Sequence, residues 1–164
     1  MIGMHRAFLS LGANLGDPVG RIHAVLLTLR DSPDLKLVAA SSLYASAPVD
    51  APGQAEYINA VAMIDTVHSP GDLLRWMLDL ESQNGRERLF QNAPRTLDLD
   101  LLLYDTISIE HPELQIPHPR MHLRRFVLEP LVEIAPEVEI PGHGPAALLL
   151  TGLAEQAVRR IAPA

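Results

Sequence analysis

The chain has 164 residues, enough for one domain with a sizeable core, and 48% of them are hydrophobic, which excludes a disordered polyanion. A net charge of −7 argues against a general nucleic-acid binder, and the absence of cysteine excludes disulfides and thiolate metal sites. No stretch approaches a membrane span and residues 1–11 lack the apolar run of a leader, so the expected location is the cytoplasm, away from membranes.

Taken in chain order, residues 7–11 read as a short strand and residues 12–17, with Gly12 and Gly16, as a turn. Asp17 can cap a helix that Pro18 opens, and Ile22, Val25, Leu26 and Leu29 carry helical spacing to about Arg30. The turn lacks the Gly-Lys-Ser/Thr ending of a P-loop. Residues 35–45 are small and apolar and read as a strand, and residues 47–53 as a loop. From 57 to 66, Ile58, Ala60, Ala62 and Ile64 alternate with Tyr57, Asn59, Val61 and Met63, the period of a strand. Ser69 and Pro70 open a second helix with Asp72 in its first turn, continued by Leu73, Leu74, Met77, Leu78 and Glu81 and stopped by Gly85. Trp76 on this helix is read as packing.

The stretch from Leu97 to Tyr104 carries the chemistry. Leu97, Leu99, Leu101 and Leu103 would face a core, while Asp98, Asp100, Leu102 and Tyr104 face the other way. Two carboxylates then stand on one face, roughly 6–7 Å apart along the strand. Like charges at that spacing cost stability unless a hard cation reverses the sign, and paired carboxylates suit Mg2+ in phosphate transfer. An acidic strand edge facing water is the alternative reading of the pattern alone. Six of the thirteen basic residues are arginines between Arg86 and Arg125, a local patch suited to a small polyanion.

Beyond Thr106, residues 116–119 are extended by their prolines. Residues 126–134 form a short helix interrupted near Pro130, residues 141–145 a turn, and residues 148–161 a closing helix with Arg159 and Arg160 near its C-terminus. His118 and His122 are four apart, but Pro119 denies them a common helix face, so no zinc site is expected, and His143 is placed on the surface. The order strand, helix, strand, strand, helix, strand predicts an α+β fold, a ferredoxin-like βαββαβ sandwich with helices on one face. One domain over 1–164 is expected, its core at about 7–104 and a C-terminal helical extension at about 105–164.

Several segments together carry a resemblance. They are Leu11-Gly12-Ala13-Asn14-Leu15-Gly16, Tyr57-Ile58-Asn59-Ala60, Glu81-Ser82-Gln83-Asn84-Gly85-Arg86-Glu87-Arg88 and Pro94-Arg95-Thr96-Leu97-Asp98-Leu99-Asp100, followed by Pro117-His118-Pro119-Arg120-Met121-His122 and on to Leu131. In these the chain resembles the 6-hydroxymethyl-7,8-dihydropterin pyrophosphokinase family of folate biosynthesis. The resemblance implies transfer of pyrophosphate from ATP to the pterin hydroxymethyl group, with release of AMP. It implies that Asp98 and Asp100 hold two Mg2+ ions and act in catalysis with Arg86 and Arg95. It assigns ATP contacts to Glu81, Arg86, Arg88, Arg95, His118 and Arg124. Pterin contacts fall to Ala47, Pro48, Val49, Tyr57, Asn59 and Phe126; taken alone, Tyr57 and Phe126 would read as core residues. The implied partners are these two small molecules, with no nucleic acid and no membrane, for a monomer or weak dimer. The segment before Pro94 departs from the family pattern, being about one residue short and lacking an aromatic-glycine pair, in a loop that closes over substrates. The same chemistry on a related pterin, or a non-catalytic nucleotide-binding module, are the alternatives.

Overall fold

The computed structural model describes residues 3–47, 55–84 and 97–163. Strand β1 (His5–Ala13) runs through Gly12 and Ala13, further than the expected turn allowed, and is followed by α1 (Pro18–Asp31). The Asp17 side chain accepts from the Gly20 N–H at 3.1 Å, and Pro18 sits at the first helical position, as the capping pattern requires. The stretch read as one strand from 35 to 45 is two, β2 (Leu35–Ala40) and β3 (Leu43–Ser46). Its break is made by partners distant in the chain. Ser41 Oγ accepts from the Val61 N–H at 2.9 Å in place of a backbone carbonyl, and the Ser42 N–H turns out of the ladder to the Glu133 carboxylate.

Strand β4 (Tyr57–Thr66) lies at the centre, and α2 (Pro70–Gln83) follows with Ser69 as its cap, its hydroxyl accepting from the Asp72 N–H. Leu73, Met77, Leu80 and Glu81 are the buried face of α2, whereas Leu78, expected on that face, is exposed. Strand β5 (Asp98–Tyr104) completes the core. The main sheet is antiparallel in the order β10-β3-β4-β1-β5, where β10 is Val158–Ala162, with β2 also on β4.

The two faces of the sheet have separate cores. Leu9, Leu11, Ala60, Ala62, Leu99 and Leu101 pack under α1 and α2. Phe8, Val61, Met63, Leu102 and Leu103 pack under α3 (Arg125–Ile134) and α4 (Ala146–Thr151). The alternation in β4 is as the sequence predicts. In β5 it holds only as far as Leu101. The register passes from Leu9↔Leu101 to Phe8↔Leu103, so Leu102 is an extra residue. One inserted residue reverses every side chain beyond it. Leu103 therefore joins the second core and Tyr104 the first, opposite to the expected assignment.

The C-terminal section differs more. Short hairpins β6 (Ile109–His111)–β7 (Leu114–Ile116) and β8 (Glu139–Ile140)–β9 (Gly144–Pro145) flank α3, with a single 3-10 turn at Met121–Leu123 before it. Helix α3 passes through Pro130 without interruption; the missing N–H frees only the Phe126 carbonyl, in the first turn of the helix. The long closing helix does not form. Helix α4 stops at Thr151 with Gly152 as its cap, and Val158–Ala162 is a strand, β10, paired with β3. Arg159 is thus an edge-strand residue paired with Glu56, and the open edge of β3 takes up the backbone of Val158, Arg159, Arg160 and Ala162. Helices cover both faces of the sheet rather than one, because the extension packs on the face that α1 and α2 leave open.

Candidate active site

The site is built on the second face, at the end of the strands where α3 ceases to cover it. Paired residues of an antiparallel sheet share a face. Val61, Ser10 and Asp100 form one row across β4, β1 and β5; Asn59, Gly12 and Asp98 form the next. Asp98 and Asp100 are both partly buried and lie on the same side, as the alternation predicts up to Leu101. Between Asn59 and Asp98 stands a glycine. A Cβ on Gly12 would meet Asn59 Oδ1 at 3.5 Å, so the absence of a side chain leaves a floor between two polar groups roughly 10 Å apart across two strand spacings.

Asn59 is 6% exposed. Its Nδ2 donates to Ser46 Oγ at 2.7 Å, which turns Oδ1 toward the floor over Gly12. Tyr57, two residues before it on the same face, is partly buried, and Ala47 is exposed at the end of β3. Phe126 is partly buried in the first turn of α3, with the Arg124 guanidinium 5.5 Å from its ring centroid, a cation–π contact.

His118 and Arg124 come to the same face. The His118 N–H donates to the Leu102 carbonyl at 2.9 Å, which ties the segment after β7 to β5 beside the aspartates. Its Nδ1 accepts the Arg120 N–H at 3.1 Å, so the neutral ring carries its proton on Nε2. Burial, with the neighbouring charges of Arg124 and Arg120, pushes His118 down to about 4; Asp98 opposes them. Burial also lowers the Arg124 pKa, while Asp100 and Asp98 act to raise it. Arg120, left unassigned from the sequence, is therefore part of this electrostatic group.

Glu81 is 2% exposed, and its Oε2 accepts the Leu99 N–H at 2.9 Å. It holds the backbone between the two aspartates from the opposite side of the sheet. A depression of about 210 Å³ adjoins Asp100, lined by Leu74, Leu101 and Leu114 with Gln115 and His118 at its polar side. Neither Gly12 nor this depression was legible in the sequence, because each depends on register or on a hairpin folding against α2. Among the described residues no group of three or more metal-ligating side chains is present. Pro48, Val49, Arg86, Arg88 and Arg95 lie outside the described residues.

The 7,8-dihydro-6-hydroxymethylpterin-pyrophosphokinase (HPPK) family model matches residues 8–136. The chain belongs to this family. It is 44% identical over 138 residues to 2-amino-4-hydroxy-6-hydroxymethyldihydropteridine pyrophosphokinase of Haemophilus influenzae, covering 84% of this chain and 86% of that one. Its identity to the Pseudomonas aeruginosa protein of the same name is 40%, with 84% and 85% covered. The fold is similar to a Plasmodium falciparum HPPK-DHPS crystal structure, with a TM-score of 0.75 at 15% identity, covering 98% of this chain and 49% of that chain. This chain thus spans about half the length of that solved protein. An HPPK enzyme transfers the pyrophosphoryl group of ATP to hydroxymethyldihydropterin in folate biosynthesis, and the family membership gives this chain that activity.

Proposed function

We propose that the open end of the second sheet face is where this transfer occurs, with Asp98 and Asp100 on the ATP side and Asn59 on the pterin side of the Gly12 floor. The observation that carries the reading is the row Asn59–Gly12–Asp98 beside Asp100. It sets an amide suited to a heterocycle edge across an empty strip from a carboxylate pair suited to metal-bound phosphates.

The donor set fits Mg2+. Hard oxygen ligands from one or two carboxylates, completed by substrate phosphates, are what this ion takes, and a protein cage of three or more ligands is not needed. Asp98 and Asp100 would hold two such ions, which supply charge neutralisation of the triphosphate when bound. The remaining work falls to the chain. The depression of Leu74, Leu101 and Leu114 fits a flat base, and its contact with Asp100 and His118 points the phosphates toward the carboxylates. His118, neutral at pH 7, offers an Nε2–H donor, and Arg124 adds a fixed cation to balance charge developing on phosphate oxygens. Arg86, Arg88 and Arg95 are assigned phosphate contacts, for which guanidinium forks are suited. Arg86 and Arg95 are assigned to catalysis with the aspartates.

Asn59 Oδ1 faces the floor as an acceptor for pterin N–H groups, and Tyr57 and Phe126 bound the ring, with Ala47 and, by the family resemblance alone, Pro48 and Val49 assigned further pterin contacts. Glu81 serves the ATP side by holding the Leu99 backbone. The pterin hydroxyl oxygen attacks the β-phosphorus and releases its proton to solvent, the bond from that phosphorus to the α–β bridging oxygen breaks with its electron pair kept on that oxygen, and AMP leaves. Alignment and electrostatics supply the rate enhancement, with no protein nucleophile. The strand order β5-β1-β4, with β2 and β3 as one interrupted strand, supports a ferredoxin-like core. Every group named comes from one chain. The test is AMP release with ATP, Mg2+ and 6-hydroxymethyl-7,8-dihydropterin, beside a panel of related pterins. Release that is strictly dependent on Mg2+ and fastest with the hydroxymethyl pterin is expected. Nucleotide binding without AMP would overturn the reading.

A further inference from the structure

The β8–β9 hairpin lies beyond residues 8–136, the part of the chain that matches the family, and none of the roles above uses it. Its two ends are anchored. Ile140 and Ala146 are buried in the second core, and the Ala146 N–H donates to the Val138 carbonyl at 3.0 Å. Its tip is a tight turn in which the His143 N–H donates to the Ile140 carbonyl at 2.9 Å. Gly142 and Gly144, on either side of His143, have φ of +81° and +93°, where a side chain would be strained. The tip therefore presents one ring, that of His143.

That ring lies on His122. The two imidazoles are stacked with centroids 3.8 Å apart and planes 16° from parallel. His122 is in the 3-10 turn between His118 and Arg124, and the turn is continuous. The Met121 N–H donates to the His118 carbonyl, the Leu123 N–H to the Arg120 carbonyl and the Arg124 N–H to the Met121 carbonyl. The last two of these bonds close over residue 122. The placement of His122 is thus shared by Arg124 and, through Met121, by His118. Gln156 holds the same turn at the Leu123 carbonyl, and His143 holds it at His122.

The contact depends on charge. His122 Nδ1 is buried and has no hydrogen-bond partner among the described residues. A protonated ring carries N–H on both nitrogens, so the charged form would bury an unpaired donor beside a second imidazole. Burial, and then the charge of His143, hold the His122 pKa below its ordinary value. The elements around it supply no counter-charge among the described residues. Helix α4 has no charged residue, the hairpin's Glu139 is exposed opposite Pro145, and the Arg125 guanidinium of α3 is taken by Glu129 and by the Ala154 and Gln156 carbonyls. Arg120 and Arg124, in the segment that carries His122, are cationic as well. The stack is complete only while His122 is neutral.

We infer that His143 is a positioning residue for the ATP side: stacked on His122, it fixes the turn that presents His118 and Arg124. The inference rests on the ATP-side reading of those two residues. Arg124 also lies against Phe126, so the pterin side feels the change at second hand and by less.

Steady-state kinetics with each substrate varied in turn, on the parent, His143→Ala and His143→Phe, test it. His143 is exposed at a turn tip, so replacing it leaves the core packing intact. At pH 7.5, His143→Ala should raise the KM for ATP about fivefold, the scale of one lost ring pair, with the pterin KM within about twofold of the parent. His143→Phe keeps a flat ring that cannot be charged, and should return the ATP KM to within about twofold of the parent. From pH 7.5 to 5.5 the ATP KM of the parent should rise severalfold more than that of His143→Phe; His118, neutral down to about 4, contributes alike to both. An ATP KM unchanged in His143→Ala overturns the inference, as does an equal rise in both KM values. A His143→Phe variant that behaves as His143→Ala, or pH profiles that run parallel in the parent and His143→Phe, overturn it too. His118→Ala and Arg124→Ala are run alongside. An ATP KM that these two leave unchanged defeats the ATP-side reading itself, whereas a rise in these two alone defeats only the role of His143.

Discussion

The two faces of the sheet differ in what covers them. Under α1 and α2 the side chains from Leu9 to Leu101 form a closed apolar layer in which Ile22, Leu29 and Leu73 have no exposed surface. The other face is closed only halfway. Val61, Met63, Leu102 and Leu103 meet α3, and the same strand faces then run on to Asn59, Gly12, Asp98 and Asp100, beyond that apolar cluster. The same three strands thus provide stability on one side and, where the second layer ends, a polar strip on the other. A carboxylate under α2 needs a partner inside the fold, as Glu81 has in the Leu99 N–H, whereas the proposed role of Asp98 and Asp100 is to be compensated by substrate and its counter-ions.

That contrast can be tested from both sides. The largest effect is expected at the carboxylates. Asp98→Ala and Asp100→Ala should each reduce AMP release by about 10²–10³-fold or more, on the order of 3–4 kcal/mol, with a melting temperature equal to or above the parent's. A variant that melts lower and keeps its turnover would place the aspartates in the scaffold. On the closed face the signs reverse. Leu29→Ala should cost about 2–5 kcal/mol in urea unfolding while kcat/KM per folded molecule stays within twofold.

Gly12 sharpens the comparison, because a side chain there should help the fold and harm the site. A Cβ meets only ordinary contacts, so Gly12→Val should keep or raise stability while raising the pterin KM about tenfold, about 1.4 kcal/mol. An unchanged KM would show that the floor between Asn59 and Asp98 is not used. The smallest effect concerns His118. The folded protein leaves this ring neutral down to about 4, whereas the unfolded chain protonates it near 6.5. The unfolded state then binds more protons between those values, so stability falls as pH drops from about 6.5 to about 4. With solvent screening the slope from this group is below about 1 kcal/mol per pH unit, and His118→Gln should flatten it in urea titrations at pH 7, 5.5 and 4.5.

His118 also marks how far sequence reading reaches. Its proposed place in the site follows from the family pattern, but its tautomer comes from the Arg120 N–H, and its depressed pKa comes first from burial and then from the charges of Arg124 and Arg120. The aspartate pair was legible because two residues of one strand face the same way whatever surrounds them. The pairing of Asn59 with Gly12 was not, since it requires the register of residues 47 positions apart in the chain.

The sequence by itself determined the local elements: the caps at Asp17 and Ser69, the two-sided alternation of β4, and the common face of Asp98 and Asp100. Each rests on interactions within a few residues, so the neighbouring chemistry suffices. The tertiary structure alone decided the extra residue at Leu102 that turns Leu103 and Tyr104 over, the strand β10 where a helix was expected, and the break at Ser41–Ser42. Those outcomes depend on partners far along the chain, such as Glu133 for Ser42 at a separation of 91 residues. A local period carries no information about which distant edge or carboxylate will satisfy a backbone N–H.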